Sequence, residues 1–585
     1  MQLNLKKHRE DLLFVPLGGA SEIGMNVNLY HLDGKWIMVD CGLGFAHDVP
    51  GIDMLAADIS FIKAHKKDLL GIIITHIHED HLGAVQHLWQ ELEAPVYTSD
   101  FAARFLRTKL EEYAFGSRVK IHTIDESKEL KLGAFNIEFI GLTHSVPEMN
   151  ALMIKTRHGN ILHSGDWKFD PNPVLGKISE KEKIKEYGDQ GEILALVCDS
   201  TNALSLGHSR SEGDLFESLR SIIKDCKQLV GVTTFASNIA RVFTIAKVAE
   251  SCGRKVCLTG FSLQRLKEIA IKTGYFKELP SFISDKELKF FSPSEVLILS
   301  TGCQGESNAG TMKIATDKHP TIKFKAGDTM IFSSKIIPGN EKSIFALFNL
   351  FAKKKVEVIT EKDHFVHVSG HPNQDELKEM YELARPKIAI PVHGEFVHLK
   401  QHGALVKEWG VKTSIAVENG TVVKLSKANN GEDSAIVGQV PTGYMGIDGR
   451  QLIPLEGEVI KTRYKLQFAG IVIVMVVIDG SNGEVLGDIE IKTPGAIDFS
   501  KDPDALHWLR KDVTVAIKSS AKELFKGKKH SFKDKFFGKK NQPQNNHAHN
   551  KAIEAISKSI RNKLGKDFHD LMGKKPMMEV IVRVV

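Results

Sequence analysis

The stretch Thr75-His76-Ile77-His78-Glu79-Asp80-His81 constrains this chain more than any other. It follows an apolar run, Leu69-Leu70-Gly71-Ile72-Ile73-Ile74, that reads as a buried parallel strand. Three imidazoles and a carboxylate leave that strand end together. Close spacing off a strand lets neighbouring side chains diverge, so His76 and His78 can serve one metal while Asp80 and His81 serve another. Borderline metals such as zinc take this mixture of neutral nitrogen and anionic oxygen. A polar loop that is merely rich in histidine is the competing reading, in a chain with 25 histidines among 585 residues. Four ligand-type residues at this spacing set it aside.

Further ligand-type residues stand at similar addresses. His144 follows the strand-like Ile137 to Thr143, and Asp166 follows Ile161-Leu162-His163-Ser164-Gly165. His393-Gly394 ends the run Lys387 to Val392. Asp40 ends Trp36-Ile37-Met38-Val39, where it can orient a metal-bound histidine from behind. Singly these are weak, because a histidine after a strand is more often a hydrogen-bonded structural residue. Their recurrence at strand ends is the signal, since sites in α/β folds gather at one edge of the sheets.

The series Asp40, His76-x-His78-x-Asp80-His81, His144 and Asp166 resembles the motif set of the metallo-β-lactamase superfamily. That resemblance implies an αββα sandwich holding two zinc ions per subunit, with manganese or magnesium as alternatives. It places His76, His78 and His144 on the first metal, Asp80, His81 and His393 on the second, and Asp166 between them. Two such metals can clamp the attacking and leaving oxygens of an in-line displacement.

The fold alone does not choose a reaction, so the later motifs matter. Asp199 in Leu196-Val197-Cys198-Asp199, His371 in Val366-His367-Val368-Ser369-Gly370-His371, and His393 in Pro391-Val392-His393-Gly394-Glu395 resemble the three extra motifs of the nucleic-acid-processing branch. That branch carries an inserted β-CASP domain, and a histidine in its third motif goes with RNA substrates. Leu17 to Asn26, Thr233 to Ile239, Ser300 to Glu306 and Ile336 to Lys342 resemble the ribonuclease J family in particular. The likeness is dense from about residue 10 to 425 and loose beyond. Two departures reshape the site's rim: a short loop after Gly44 carrying Ala46-His47, and Pro372 directly after His371.

The resemblance implies hydrolysis of single-stranded RNA in RNA processing and decay. It implies a 5′-to-3′ exonuclease that prefers 5′-monophosphate ends and also cuts internally. The catalytic set is then His371 as general acid, Asp80 among the ligands, and Asp199 orienting a histidine. Glu395 is read as orienting a metal-bound histidine. The terminal phosphate is expected on Ser369, Gly370 and His371, with Ser333, Ser334, Ser237 and Arg241 as further candidates. Two other readings stay open: a metallohydrolase of small esters, thioesters or lactams, and a scaffold in an assembly of RNA-decay proteins.

At 65.0 kDa the chain spans several domains. The first part of the metallo-β-lactamase domain is expected over 1–205, the inserted β-CASP domain over 206–355, and the second part over 356–430. A linker over 431–455, with a loop at Asn429 to Asp433, then leads to a small α+β domain over 456–585. That domain has helices from Asp502 to Phe525 and from Lys551 to Leu564. Its lysine-rich stretch at about 526–550 lacks the apolar residues to pack and is expected to be disordered. The family resemblance implies a homodimer or homotetramer assembled through this tail.

The six cysteines are scattered, without a disulfide or zinc-knuckle pattern. The first ten residues hold no signal-peptide core, and the apolar stretch Ala469 to Ile478 is too short to span a bilayer. A cytoplasmic protein with no membrane association is expected. The formal charge of +6 suits nucleic acid without demanding it.

Overall fold

The computed structural model describes residues 3–46, 48–425, 435–479, 483–525 and 543–585. His47 of the short loop, the loop at Asn429 to Asp433, and residues 526–542 of the lysine-rich stretch lie outside these. The chain divides into two compact units, Met1–His47 with Asp53–Leu452, and Asp48–Ile52 with Ile453–Val585.

The first unit is built on two facing sheets. One has eight strands, in the order Ala435–Gln439, Thr421–Leu425, Leu12–Gly18, Val27–Leu32, Lys35–Val39, Leu69–Ile73, Val96–Thr98, Ile121–Thr123. The other has seven, in the order Thr413–Ser414, Ile388–Val392, Ile193–Asp199, Asn160–His163, Asn150–Lys155, Phe135–Gly141, Leu130–Leu132. Phe14, Tyr30, Ile37, Val39 and Ile73 pack against Phe135, Phe139, Leu152, Ile161, Val197 and Ile390 to fill the space between them. Helices cover the outer faces, through Leu88, Trp89, Phe101 and Leu106 on one side and Ile184, Leu377, Met380 and Tyr381 on the other. This is the αββα sandwich, and strands buried on both faces explain the unbroken apolar runs in the sequence.

Parallel pairing decides where the site lies. Val39 sits beside Ile73, His163 beside Val197, and Asp199 beside Val392, each across a parallel pair. The residues that follow these strands therefore leave the sheets at a common edge. They include Asp40, the 76–81 cluster, Asp166, Asp199 and His393.

Between Ile193–Asp199 and its neighbour Ile388–Val392 the chain makes its insertion. A five-stranded parallel sheet, ordered Lys255–Thr259, Val296–Ser300, Val230–Thr233, Thr329–Phe332, Glu357–Ile359, carries helices on both faces. The insertion's sheet thus runs past the expected return at 356, because helix Glu341–Lys353 brings Glu357–Ile359 back as a parallel edge strand. Part of the expected linker is likewise built into the fold. Ala435–Gln439 adds antiparallel to Thr421–Leu425, and Tyr444–Asp448 pairs with Met54–Ala57, so these residues spend their backbone groups on sheet edges.

In the second unit a three-stranded sheet, ordered Glu490–Lys492, Ile471–Ile478, Met577–Val584, packs one face on two helices, Pro503–Phe525 and Pro543–Met572. Val472, Val474, Val476 and Ile478 meet Leu509, Val513, Ile517, Ile556, Ile560, Leu564 and Phe568. The second helix begins at Pro543, inside the stretch expected to be disordered. Its apolar stripe anchors it from Ala552 onward, and proline is well placed in a first helical turn. Among the described residues no helix is long and apolar enough to cross a membrane.

Candidate metal centre

The sheet edge gathers the ligand-type residues into three overlapping groups that share Asp166, the third being Asp166, Asp199, His371 and His393, and two of them carry the expected ligands. One is His76, His78, His144 and Asp166, and the other Asp80, His81, Asp166 and His393, with ligand atoms within 4.8 Å of one another in each. His393 of the second group, at φ 52°, and the supporting Asp40, at φ 63°, leave their strands in the left-handed conformation. Gly165 does the same at φ 57° just before Asp166. A Cβ there would come within 2.5 Å of the Met149 terminal methyl, so a side chain at this position would have to displace Met149.

Hydrogen bonds fix which ring nitrogens are free. Asp40 is fully buried and accepts from Thr75 N (2.8 Å), Thr75 Oγ1 (3.0 Å) and His81 Nδ1 (2.7 Å). Because Thr75 Oγ1 gives its hydrogen to Asp40, it accepts from His76 Nδ1 at 2.9 Å. His144 Nδ1 donates to the carbonyl of Gly370 at 2.7 Å, and His78 Nε2 to Ser145 Oγ at 3.3 Å. The lone pairs left over are His76 Nε2, His78 Nδ1 and His144 Nε2, with the first and third each 3.1 Å from the second. Nitrogen lone pairs converging at this distance suit a shared cation. On the other side His81 Nε2 and His393 Nε2 stand 3.1 and 3.3 Å from Asp166 Oδ2, and 3.6 and 3.7 Å from Asp80 Oδ2. Asp166 Oδ1 is buried without a hydrogen-bond partner. This donor set fits divalent cations of the zinc or manganese type.

The electrostatics separate the two groups. Burial, aided by the neighbouring imidazoles, holds His76 and His78 well below the usual histidine range, and burial takes His144 down to about 3. For His81 and His393 burial pushes the same way, but Asp166 with Asp40, Asp80 or Asp199 outweighs it and raises both.

Beside the centre stands His371, whose Nδ1 donates to Asp199 Oδ2 at 2.7 Å. Burial opposes its protonation, yet Asp199, Asp166 and Asp80 carry it up to about 9. Its side chain keeps 22% of its surface exposed, and Asp80 keeps 27%, so the centre opens on this side. Asp199 is fixed in turn by Thr201, whose N and Oγ1 donate to Oδ1 at 2.8 and 2.7 Å.

The expected phosphate contacts divide. Ser369 Oγ accepts from Asn202 Nδ2 (2.9 Å) and from His371 N (3.1 Å), which leaves its own hydrogen to donate. A side chain at Gly370 would displace His144 or the loop, since a Cβ would lie 2.7 Å from the His144 ring. Ser237 is half-buried in the loop before helix Ile239–Ser251. Ser334 is buried and beside Cys303. Ser333 and Arg241 are not available to a substrate: both are buried, and Arg241 spends its guanidinium on Glu212, Ser333 and backbone carbonyls. Glu395 is exposed at the start of helix Phe396–Glu408 and hydrogen-bonds no histidine through its side chain.

The sequence pattern alone gave no role to Asn26, Thr75, Ser145 or Asn202. The Asn26 amide nitrogen lies 3.0 Å from both His81 Nε2 and His393 Nδ1. Its position two residues past Gly24 in the first glycine-rich turn was the available signal.

Family comparisons agree with this geometry. Residues 24–196 match the metallo-β-lactamase superfamily, 227–351 the β-CASP domain of ribonuclease J, and 355–416 the zinc-dependent metallo-hydrolase RNA specificity domain. A ribonuclease J of Corynebacterium glutamicum is 35% identical over 84% of this chain and 68% of that one. One from Helicobacter pylori is 31% identical over 90% and 76%. A crystal structure of a protein of unknown function from Enterococcus faecalis V583 shares the fold, with a TM-score of 0.51 at 15% identity over 71% of this chain and all of that one. A ribonuclease J of Sinorhizobium meliloti is 36% identical over 98% of both chains, and on that likeness this chain belongs to the ribonuclease J family.

Proposed function

We propose that the protein is a metal-dependent ribonuclease that hydrolyses phosphodiester bonds of single-stranded RNA. It works 5′ to 3′ from monophosphorylated ends and also cuts internally. The observation that carries the reading is the Asp199–His371 pair, an imidazole held by a 2.7 Å hydrogen bond at the open side of a buried ligand cluster.

His76, His78 and His144 would hold one divalent cation and Asp80, His81 and His393 the other, with Asp166 shared. Two zinc ions suit the donors, and manganese is the nearest alternative. When bound, such a pair supplies Lewis acidity at the phosphoryl oxygens and offsets the charge that builds there. The chain's own residues do the rest. Asp199 holds His371 through Nδ1, which presents the Nε2 proton to the departing 3′-oxygen. Ser369 offers its hydroxyl hydrogen to a phosphate oxygen, and Gly370 lets the phosphate approach the backbone closely. Asp40 holds the His81 ring through Nδ1 and Thr75 holds the His76 ring through Nδ1, which leaves Nε2 of each facing the cluster.

The chain assembles as a dimer or tetramer through residues 456–585. What supports this is the sheet face opposite the two helices, where Ile471, Ile473, Met475 and Val477 are half-buried and Ile581 is half-exposed. Its six cysteines are all unpaired, which suits the reducing cytoplasm.

The test is an RNA oligomer bearing a 5′ monophosphate or a 5′ hydroxyl, its products read by length. Mononucleotides released from the monophosphate end, and lost in His76→Ala, are expected. Internal cuts indifferent to the 5′ group would keep the nuclease and discard the end pocket. No cleavage of either RNA, alongside hydrolysis of a simple ester, would point to the small-substrate hydrolase.

A further inference from the structure

Arg241 is basic and follows the family-like stretch Thr233 to Ile239 by two residues, yet it is fully buried. Its Nε and Nη2 donate to the two carboxylate oxygens of Glu212 at 2.7 and 2.9 Å. Its Nη1 donates to Ser333 Oγ at 2.7 Å and to the Ser333 carbonyl at 3.0 Å. The same guanidinium reaches the carbonyls of Val366 and Val368 at 3.4 Å, while Ser333 Oγ donates to Val366 O at 2.7 Å. One planar fork therefore ties together a helix and a strand end of the insertion and the segment that runs into Ser369-Gly370-His371. A lysine, with a single point charge, cannot span those acceptors.

Both ends of this clamp lead to the metal ligands. Glu212 N donates to Asp170 Oδ2 at 2.9 Å, and Asp170 N donates to Thr143 Oγ1 at 3.0 Å, one residue before His144. At the other end Gly370 O accepts from His144 Nδ1 at 2.7 Å. The polar contacts thus form a closed circuit, from Thr143 through Asp170, Glu212 and Arg241 to the His371 loop and back to His144. A buried ion pair is poor value as a source of stability, because desolvation consumes most of its attraction. Its geometric effect is to leave the His371 loop one position relative to the ligands.

We propose that Glu212 and Arg241 are positioning residues for the reaction, fixing the Val366–Val368 segment and through it the placement of His371 against His144 and Asp166. This rests on the reading of His371 as proton donor to the leaving 3′-oxygen, and the experiment separates the two. Steady-state rates are compared on an RNA oligomer and on the same oligomer with sulfur in place of the leaving 3′-oxygen. A thiolate leaves without a proton, so that substrate is blind to a displaced acid.

Arg241→Lys is expected to lower kcat on ordinary RNA by about 10- to 100-fold, with KM within about threefold. On the sulfur-linked RNA it should stay within about threefold of the unaltered protein, at equal metal content. His371→Gln should show the same split, larger. Arg254→Lys is the structural control, since Arg254 is buried in the same insertion but donates only to the carbonyls of Cys226, Gln228 and Val296. It should show no split. If His371→Gln splits the two substrates and Arg241→Lys does not, the positioning role is wrong. If His371→Gln itself shows no split, the proton-donor reading fails first. Should Arg241→Lys not fold, Ser333→Ala carries the test. It keeps the ion pair and removes only the hydroxyl between Arg241 and Val366, so it should give the same split at smaller size, and equal rates on both substrates relative to the unaltered protein would overturn the proposal.

Discussion

Asp199 and His371 are 172 positions apart in sequence, and in the fold their Oδ2 and Nδ1 atoms are 2.7 Å apart. Asp199 ends a strand of the seven-stranded sheet, while His371 arrives on the chain's return from the insertion. The Asp199–His371 pair is therefore assembled only when both parts of the first unit are folded together. Asp199→Asn is expected to lower kcat on RNA by about 100-fold, in line with loss of general-acid catalysis, at unchanged metal content. Single-turnover kinetics with metal analysis of the same sample checks it.

Gly370 allows the loop to pass His144. Gly370→Ala would place a methyl group 2.7 Å from the His144 ring, so the ring or the loop must move. Metal content per chain and RNA hydrolysis should fall together, with the thermal midpoint little changed. Elemental analysis and a melting curve decide.

Asp40 carries no ligand atom yet receives three hydrogen bonds in a fully buried position. Asp40→Ala leaves the Thr75 N–H without an acceptor and frees the His81 ring. A loss of about 1–3 kcal/mol in urea unfolding is expected. Metal affinity should weaken about 10- to 100-fold.

The two ligand groups should load with different pH dependence. His81 and His393 are raised in the metal-free protein, so a cation entering there must displace protons. Its affinity weakens as pH falls. His76, His78 and His144 are lowered and already proton-free at neutral pH, so binding there is nearly indifferent between about pH 6 and about pH 8. Calorimetric titration in buffers of different ionisation enthalpy should resolve one proton-releasing step and one that releases none.

If the open face of the small sheet joins copies of the chain, Ile581→Glu should yield monomers. Light scattering on the eluting species reads the mass directly. An unchanged oligomer would move the interface elsewhere.

The metal cluster was legible in the sequence because buried parallel strands leave continuous apolar runs, and ligands at strand ends announce themselves by position. His144, Asp166 and His393 follow that pattern, with Asp40 behind them as a supporting carboxylate. Burial was not legible. Arg241 and Ser333 resemble phosphate contacts as residue types, and only packing shows that Glu212, a residue in no motif, has claimed the guanidinium. Glu395 misled in the opposite sense, since a carboxylate next to a ligand histidine can as easily face solvent at a helix start. The edge strand Ala435–Gln439 was read as linker because a short strand on an exposed edge has weak alternation.

The most direct test of the account takes the full-length protein as purified, stripped of metal, and reloaded, with one 5′-monophosphorylated RNA. Hydrolysis should disappear on stripping and return with about two cations bound per chain. Hydrolysis that persists in protein shown to be metal-free, or fails to return on full reloading, would contradict it.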